Sequence, residues 1–480
     1  AALAPPVQGP PDVTTARSRP TRYHFSGIAG SGMSPLARLL RAWGHEVQGS
    51  DRSFDQGKNG ALAAAFRELG IAILPHDGRA IHGGLDRVVY STAVEAHTPE
   101  MRAARERGIP LIARPILLAD LVNAARPGVA VAGTSGKSTV VGMLAWLVRA
   151  GRRPVTVLGG APLVGESGPA GVVGPSEGPL VAEACESDGT LTYYRPAIGV
   201  IHNVSRDHAE LDSLRAQFAE FARQADRLLV NAGCPVAAAI GRSVGARTYG
   251  VGAGADVRLE IVAAGPEHAT GVLHADGRRL RLRLRQPGRH NLENAAAAAL
   301  VALELGLEPE VVEQALAEFP GVQRRFELVG TAPNGIRVID DYAHNAAKIE
   351  AALTTAQAGS ERVLAIFQPH GFGPARFLRP ELRALLPRLL RPQDRFCYAE
   401  IFYAGGTVAR DLSSAALAAD LPPSLGCVWA ADHEAVRRWV LSEARPGDTV
   451  LLMGARDPEL PGLARAILAA LQDSPVAAAR

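Results

Sequence analysis

Short apolar runs alternate with longer segments of helical periodicity along most of the chain. Many of these runs end in glycine or polar residues, which is typical of buried parallel strands followed by turns. The strands that the pattern predicts are Tyr23–Ser26, Glu46–Gln48, Ala72–Leu74, Arg87–Tyr90, Leu111–Ala113, Val129–Ala132, Ile198–His202, Arg337–Ile339, Val363–Phe367 and Thr449–Met453. Because helical segments separate most of these runs, the pattern predicts an α/β protein with mostly parallel sheets.

The chain of 480 residues is too long for one hydrophobic core, and typical domain sizes suggest about three domains. We expect residues 1–21, which are rich in Pro and Ala, to form a disordered leader. The predicted domains are an N-terminal Rossmann-like domain at 22–124, a central domain with a phosphate-loop ATPase-type parallel sheet at 125–323, and a C-terminal Rossmann-like domain at 324–480.

The segment around residue 135 joins an apolar strand to a helical pattern that begins at Val140. The turn between them consists of Gly133, Thr134, Ser135, Gly136, Lys137, Ser138 and Thr139. Backbone N–H groups and a helix N-terminus converge on one anion in a turn of this kind, so we predict that these residues bind a nucleotide phosphate. The strict phosphate-loop pattern is not met, since Val131 stands where its first glycine would be, and an ordinary strand-to-helix loop is the alternative.

Lysine usage adds weight to the phosphate interpretation. The chain has 51 Lys and Arg residues, but its only lysines are Lys58, Lys137 and Lys348. The compact ammonium of a lysine fits against β- and γ-phosphates, whereas the planar guanidinium of an arginine does not. A lysine at position 137 in an arginine-rich chain therefore favours a phosphate contact.

A second glycine turn follows the first predicted strand, and an aspartate about 20 residues further on ends the second strand. Glycines here allow a diphosphate to approach the backbone at the helix N-terminus, and the aspartate can reach a ribose or base. The expected substrate-binding residues are Gly27, Gly30, Ser31, Gly32, Met33, Ser50, Asp51 and Thr92.

Polar groups end two strands of the predicted central sheet. Since ligands bind at the carboxyl edge of such sheets, Mg²⁺ held by Ser138, Glu183 and nucleotide oxygens is geometrically reasonable. His208 is a weaker candidate, because Mg²⁺ prefers oxygen, and the alternative is a histidine that only hydrogen-bonds in a loop. Asn291 and Asn294 lie on one face of a predicted helix and are suited to reading an adenine edge.

Composition excludes several classes of protein. A net charge of +3 gives no electrostatic case for nucleic acid or for an anionic membrane surface. Four cysteines without CxxC spacing indicate neither a disulfide framework nor a zinc site. No apolar run approaches 18 residues without interruption, which argues against a membrane span. We therefore expect a cytoplasmic enzyme with no nucleic-acid or membrane partner, as a monomer or homodimer.

Eight short motifs occur in order between residues 22 and 457: GIAGSGMS, AGTSGKST, AEACESDGT, NVSRDH, GRHNLEN, QRRFE, DDYAHN and FQPHGF. Together they resemble the Mur ligase family, and in particular its alanine-adding branch. Sister branches use a carbamylated lysine in the central domain, which this chain cannot supply between Lys137 and Lys348.

The resemblance implies a UDP-substrate domain, a central ATP-binding domain and a C-terminal domain that closes over the nucleotide and brings the amino acid. It also implies an ADP-forming ligase of peptidoglycan precursor synthesis, with ATP and Mg²⁺ as cofactors. ATP would phosphorylate the lactyl carboxylate of UDP-N-acetylmuramate, and L-alanine would attack the acyl phosphate to form an amide.

By motif position, the resemblance implies a role for each of the following residues: Lys137 on the phosphates, Ser138 and Glu183 on a first Mg²⁺, His208 on a second, Asn291 and Asn294 on adenine, Arg325 and Asp341 on the nucleotide from the C-terminal domain, and His344 and His370 beside the incoming amine. The alternative for Arg325 and Asp341 is a surface ion pair.

One departure from the alanine-adding pattern concerns the amine. The alanine-adding branch has three arginines after FQPH, whereas this chain keeps only Arg376 at those positions; we expect Arg376, alone or with Arg379, to hold a carboxylate. Two alternatives therefore stay open: a related ligase that joins another amine, such as a recycled peptide, to the same acceptor, and a nucleotide-binding homologue without ligase activity.

Overall fold

The computed structural model describes residues 19–91, 94–95, 97–166, 168, 170–187, 189–205, 211–252, 254–403 and 409–473. The chain divides into two compact units. The first extends to Val262 and includes Thr270–Leu284 and His290–Phe319, and the second consists of Ala263–Ala269, Arg285–Arg289 and the chain from Pro320 onward. The first unit contains two sheets and the second contains one.

The first sheet has five parallel strands in the order β3-β2-β1-β4-β5. Its strands are β1 (Arg22–Ser26), β2 (Glu46–Ser50), β3 (Ala72–Ile73), β4 (Arg87–Tyr90) and β5 (Leu111–Ala113). Its helices are α1 (Met33–Ala42), α2 (Arg52–Asp55), α3 (Gly60–Glu68), α4 (Pro99–Glu106) and α5 (Arg114–Ala124). Apart from the direct connection of β3 to β4, helices separate the strands, as a Rossmann-like sheet requires.

The central sheet has nine strands in the order β14-β13-β12-β11-β10-β9-β6-β8-β7. The strands are β6 (Gly128–Ala132), β7 (Thr156–Leu158), β8 (Leu180–Ala184), β9 (Ile198–Ile201), β10 (Arg227–Asn231), β11 (Arg247–Val251), β12 (Val257–Ala264), β13 (Ala269–Ala275) and β14 (Arg278–Leu284). The helices are α6 (Lys137–Ala150), α7 (Leu211–Gln224), α8 (Pro235–Val244), α9 (Arg289–Glu304) and α10 (Pro309–Glu318). Parallel pairing of β6 with both β8 and β9 brings three strand ends to one edge.

The third sheet has six strands in the order β15-β16-β20-β17-β18-β19, and only β15 is antiparallel to its neighbour. The strands are β15 (Glu327–Thr331), β16 (Arg337–Asp341), β17 (Val363–Gln368), β18 (Arg395–Ala399), β19 (Val428–Ala430) and β20 (Thr449–Gly454). The helices are α11 (Ala346–Ala358), α12 (Phe372–Leu389), α13 (Ser414–Ala419), α14 (His433–Glu443) and α15 (Leu460–Asp473).

Short polar side chains start several helices. Each accepts a hydrogen bond from a backbone N–H in the first turn, which satisfies a donor that the helix itself leaves unpaired. These capping residues are Asp51, Thr98, Asn345, Ser413 and Asp432. The caps fix where α2, α4, α11, α13 and α14 begin.

The predicted fold class is confirmed: all three sheets are mostly parallel and covered by helices. Several predicted boundaries differ from the observed ones by one to three residues. The helix after the phosphate loop begins at Lys137 and not at Val140, because Gly136 takes a left-handed conformation with φ of 83° and ends the turn there. The segment Pro235–Val244 is helix α8, with proline in its first turn.

The centre of the first unit is closely packed. Every residue of β6 is buried, and a Cβ added to Gly128 would lie 1.8 Å from the carbonyl oxygen of Val122. The alanine run of α9, Ala295–Ala299, is fully buried as well. Small residues at both places let backbone segments approach one another. None of the helices in the described part of the chain is long and apolar enough to cross a membrane.

Asp120 on α5 gives a prediction about stability. Burial raises the pKa of its carboxyl from 3.8 to about 6, and its Oδ2 is buried without a hydrogen-bond partner. As the pH rises from 3.8 to 6, the Asp120 carboxyl ionises in the unfolded protein while it is still protonated in the folded protein. The free energy of unfolding therefore falls over this range. Asp120→Asn should therefore stabilise the protein at pH 7 by about 1 kcal/mol, a figure that allows for solvent screening, and by less at pH 4.5.

Chemical denaturation at the two pH values measures this difference. Asp226→Asn, at an exposed position, is the control and should change stability equally at both. An equal gain from Asp120→Asn at pH 4.5 and pH 7 would contradict the account.

Candidate active site

The phosphate loop leaves the carboxyl end of β6 through two glycines. Gly133 has φ of 152°, and a Cβ there would lie 3.2 Å from the backbone nitrogen of Asn203. Gly136 has φ of 83° and stands directly before α6. These conformations are strained for residues with a side chain. The loop therefore delivers Lys137 and Ser138 to the first turn of the helix, where both are buried.

Lys137 is held by two oxygens. Its Nζ donates to the carbonyl of Gly133 and to Oε2 of Glu186, the latter at 2.6 Å, and both side chains are almost completely buried. Burial alone would lower the pKa of Lys137, but the neighbouring negative groups, Glu186 foremost, raise it above its ordinary value. The ammonium is therefore charged within the loop. Our sequence reasoning gave Glu186 no role, although it lies in the quoted AEACESDGT motif.

Asn203 fixes the shape of the loop. Its Oδ1 accepts from Ser135 N at 2.8 Å and from Thr134 Oγ1 at 2.9 Å, and its Nδ2 donates to Ser135 O at 3.0 Å. The amide side chain thus pairs with the loop as a neighbouring strand would. Asn203 had no predicted role, although it stands just after β9 and begins the quoted NVSRDH motif.

Ser138 and Glu183 come together at the end of β8. Ser138 Oγ lies 3.1 and 3.3 Å from the two carboxylate oxygens of Glu183, and Gly160 N donates to one of them at 2.9 Å. A hydroxyl and a carboxylate are oxygen donors of the kind that Mg²⁺ takes, with phosphate and water completing its shell, so this pair fits a magnesium site. Among the described residues there is no cluster of three or more His, Cys, Asp or Glu that could hold a metal. The predicted ligand His208 lies outside the described residues.

The two asparagines predicted to meet adenine reach the same loop. Asn291 and Asn294 are buried on α9, and Asn294 Nδ2 donates to Asn291 Oδ1 at 3.2 Å. A Cβ added to Gly136 would lie 2.5 Å from Oδ1 of Asn294, so the amide is packed against the phosphate loop. Thr139 follows Ser138 on α6, completing the predicted loop residues.

The first glycine turn is held together by Asp51. Its Oδ2 accepts from Ala29 N at 3.0 Å, and its Oδ1 accepts from Ser53 N at 2.9 Å. The carboxylate therefore links the turn to α2, whatever contact it makes with a ligand. The remaining predicted residues lie in or near this turn. Gly27 has a φ of 84°, and Met33 N donates to the carbonyl of Gly30 where α1 begins. Ser31 and Gly32 are exposed, and Thr92 lies outside the described residues.

A buried acid lies under this turn. Glu100 accepts hydrogen bonds from Ser26 Oγ and Ser50 Oγ at 2.5 Å, and two histidines, His24 and His76, contact it at 3.0 Å. Burial by itself raises the pKa of Glu100, but these partners hold it far below its ordinary value. Ser50 thus belongs to a buried network. Nothing local in the sequence pairs residues so far apart, and reasoning from the sequence missed Glu100.

In the second unit, the structure brings the predicted C-terminal residues into two groups. The carboxylate of Asp341 accepts hydrogen bonds at 2.7 Å from the backbone N–H groups of Phe326 and Ala343. Burial raises the pKa of Asp341 above its ordinary value, and Arg325 offsets only part of this effect. The guanidinium of Arg325 lies 5.1 Å from the ring centre of Tyr342. The rings of His344 and His370 are 5.5 Å apart and nearly perpendicular.

The two arginines after FQPH have partners within the second unit. Arg376 donates to Ala409 O at 3.2 Å and lies 3.6 Å from Asp411. Arg379 forms a forked ion pair with Asp420, with distances of 2.5 and 2.8 Å. The guanidinium of Arg379 is therefore engaged by an acid of its own domain.

The fold and these groups define a nucleotide-binding protein whose phosphate loop lies at the edge of a parallel sheet, beside a hydroxyl–carboxylate pair that fits Mg²⁺. Family profiles match three stretches: the Mur ligase family catalytic domain at 22–126, the Mur ligase middle domain at 131–302, and the Mur ligase glutamate ligase domain at 324–456. The chain belongs to the Mur ligase family, whose members are ATP-dependent, ADP-forming ligases.

Named relatives cover nearly the whole chain. A UDP-N-acetylmuramate–L-alanine ligase of Kineococcus radiotolerans is 40% identical over 91% of this chain and 93% of its own length. The enzyme of that name from Sinorhizobium fredii is 35% identical over 90% and 94%. The crystal structure of UDP-N-acetylmuramate–alanine ligase from Thermotoga maritima matches with a TM-score of 0.72, 27% identity and coverage of 94% and 99%.

Asn203→Ala should weaken nucleotide binding selectively. The loop would lose three hydrogen bonds from one side chain, and we expect the Kd for MgADP to rise about tenfold or more, at roughly 1 kcal/mol per bond with partial compensation by water. Calorimetric titration measures this. Asn231→Ala is the matched control, because Asn231 also ends a strand and its Oδ1 accepts from Gly233 N. Equal losses of affinity in both variants would show that Asn203 has no special role in the loop.

Proposed function

We propose that this chain joins L-alanine to the lactyl carboxylate of UDP-N-acetylmuramate in the cytoplasm, with cleavage of ATP to ADP and phosphate. The observation that carries the proposal is the buried Lys137 ammonium beside the oxygen pair of Ser138 and Glu183. The relatives that bear this activity in their names, at 33 to 40% identity over most of the chain, support the choice of substrates.

The reaction requires two transfers. An oxygen of the lactyl carboxylate attacks the γ-phosphorus of ATP, the bond to ADP breaks, and an acyl phosphate forms. The neutral amine then attacks the acyl carbon, and the tetrahedral intermediate expels phosphate to leave the amide, while the amine loses a proton. Lys137 and the N–H groups of the loop hold and neutralise the phosphoryl oxygens during the first transfer.

Ser138 and Glu183 would hold Mg²⁺ together with nucleotide oxygens, and the bound ion would neutralise further phosphate charge. We assign His208 to a second metal. Asn291 and Asn294 contact adenine, and the first glycine turn with Asp51 contacts the UDP portion. Arg325 and Asp341 reach the nucleotide from the C-terminal domain, and His344, His370 and Arg376 surround the amine.

A second candidate function is the ligation of a peptide to the same acceptor. The ion pair between Arg379 and Asp420 favours it, because a free amino acid needs its carboxylate held close to the reacting amine and this guanidinium already has a partner. A peptide places its carboxylate elsewhere.

Phosphate release with UDP-N-acetylmuramate, MgATP and a panel of amines tests both candidates. We expect release to depend on L-alanine, with little stimulation by D-alanine, glycine or an L-alanyl peptide. Release with the peptide alone would establish the second candidate. Nucleotide binding without turnover on any amine would refute both.

Lys137→Ala should reduce phosphate release by at least about a thousandfold, since the phosphoryl group would lose its buried cation. Binding of UDP-N-acetylmuramate, measured by calorimetry, should change less than about threefold, because the first glycine turn is untouched. The control is Lys58→Ala, which removes an exposed lysine and should keep wild-type activity. Substantial turnover by Lys137→Ala would refute the assignment of the loop.

A further inference from the structure

His202 lies directly after β9, next to the loop anchor Asn203, and is buried. Its Nδ1 is 2.7 Å from the hydroxyl of Tyr249, which is buried on β11. The two rings are nearly parallel, with an interplanar angle of 18°. The imidazole is therefore fixed on one side by a tyrosine that the proposed reaction does not use.

The other side of the imidazole faces the phosphate loop. A Cβ added to Gly136 would lie 2.8 Å from Cδ2 and 3.1 Å from Nε2 of His202, and 2.5 Å from Oδ1 of Asn294. This Oδ1 is buried and has no well-formed hydrogen bond, but the side chain of Asn294 lies close enough to His202 to favour the charged imidazole and so to oppose part of the effect of burial on its pKa. His202 and the amide of Asn294 thus meet against the same loop glycine.

The charge states of His202 and Tyr249 restrict the hydrogen bonds that the two side chains can form. Burial lowers the pKa of His202 to about 4 and raises that of Tyr249 well above 10, so at neutral pH the imidazole is uncharged and the tyrosine keeps its proton. If the hydroxyl donates to Nδ1, the single ring N–H is on Nε2, on the side where the unpaired oxygen of Asn294 lies. In this tautomer the buried ring N–H points towards a buried acceptor, and the tyrosine hydroxyl is paired with Nδ1.

We propose that His202 is a positioning residue for the nucleotide: held by Tyr249, it orients the amide of Asn294, and through it that of Asn291, against the phosphate loop. Asn294 Nδ2 donates to Asn291 Oδ1, so the direction of one amide sets the direction of the other. The inference rests on the proposed nucleotide site. According to this inference, the orientation of the two amides towards the base and the phosphate loop depends on a buried histidine and tyrosine as well as on the asparagines themselves.

Three variants separate the two ends of the imidazole. Tyr249→Phe removes only the hydroxyl; His202→Gln keeps a donor near the position of Nε2, and His202→Asn keeps a polar group near Nδ1 only. We expect the Kd for MgADP to rise about three- to tenfold in Tyr249→Phe, since one buried hydrogen bond is lost. His202→Gln should lie within that range, and His202→Asn should lose more.

The controls address structure and function separately. Tyr398→Phe removes a hydroxyl from another fully buried tyrosine, in the second unit, and should leave the Kd unchanged. The Kd for UDP-N-acetylmuramate should change less than twofold in all variants. Equal losses for both ligands, unchanged nucleotide affinity in Tyr249→Phe, or a better affinity in His202→Asn than in His202→Gln would overturn the inference.

Binding of MgADP does not depend on which amine the enzyme uses. If the wild-type protein binds MgADP but ligates no amine, the proposed function fails while this test of His202 still stands. If the variants bind MgADP as the wild type does and the wild type ligates L-alanine, the inference fails and the function stands.

Discussion

A buried ammonium is stable only where fixed oxygens replace the water that it has lost. Lys137 meets this condition through the carbonyl of Gly133 and the carboxylate of Glu186, which hold it charged inside the first turn of α6. Removing the carboxylate would leave the buried ammonium with a neutral carbonyl and no counter-charge from Glu186. The surrounding structure is consequently built to keep this turn in one conformation.

The order of strands in the central sheet explains how this is achieved. β6 leads into the loop, β8 carries Glu183 just before its last residue and is followed by Glu186, and β9 is followed by His202 and Asn203. Because β8 and β9 flank β6 in parallel, their carboxyl ends lie on either side of the loop. Acidic oxygens therefore approach from one neighbouring strand, and the amide and imidazole that shape the turn approach from the other.

The sequence predicted the site where its signals are local. The loop from Gly133 to Ser138 is continuous, and Glu183 ends an apolar run, so strand and turn rules were sufficient for both. The contact of Tyr249 with His202 and the network around Glu100 join residues distant in the chain, and no periodicity encodes such pairings. The ion pair of Arg379 with Asp420 could not be predicted for the same reason. The helix start at Lys137 was missed because it depends on the left-handed backbone of Gly136.

The account requires that the charge gathered at this loop serve the transfer of a phosphoryl group to a carboxylate. The most direct measurement uses UDP-N-acetylmuramate labelled with ¹⁸O in its lactyl carboxylate, incubated with MgATP and L-alanine. The carboxylate oxygen that attacks phosphorus leaves with the phosphate, so mass spectrometry should find one ¹⁸O atom in each phosphate released. Formation of the amide with unlabelled phosphate would contradict the account.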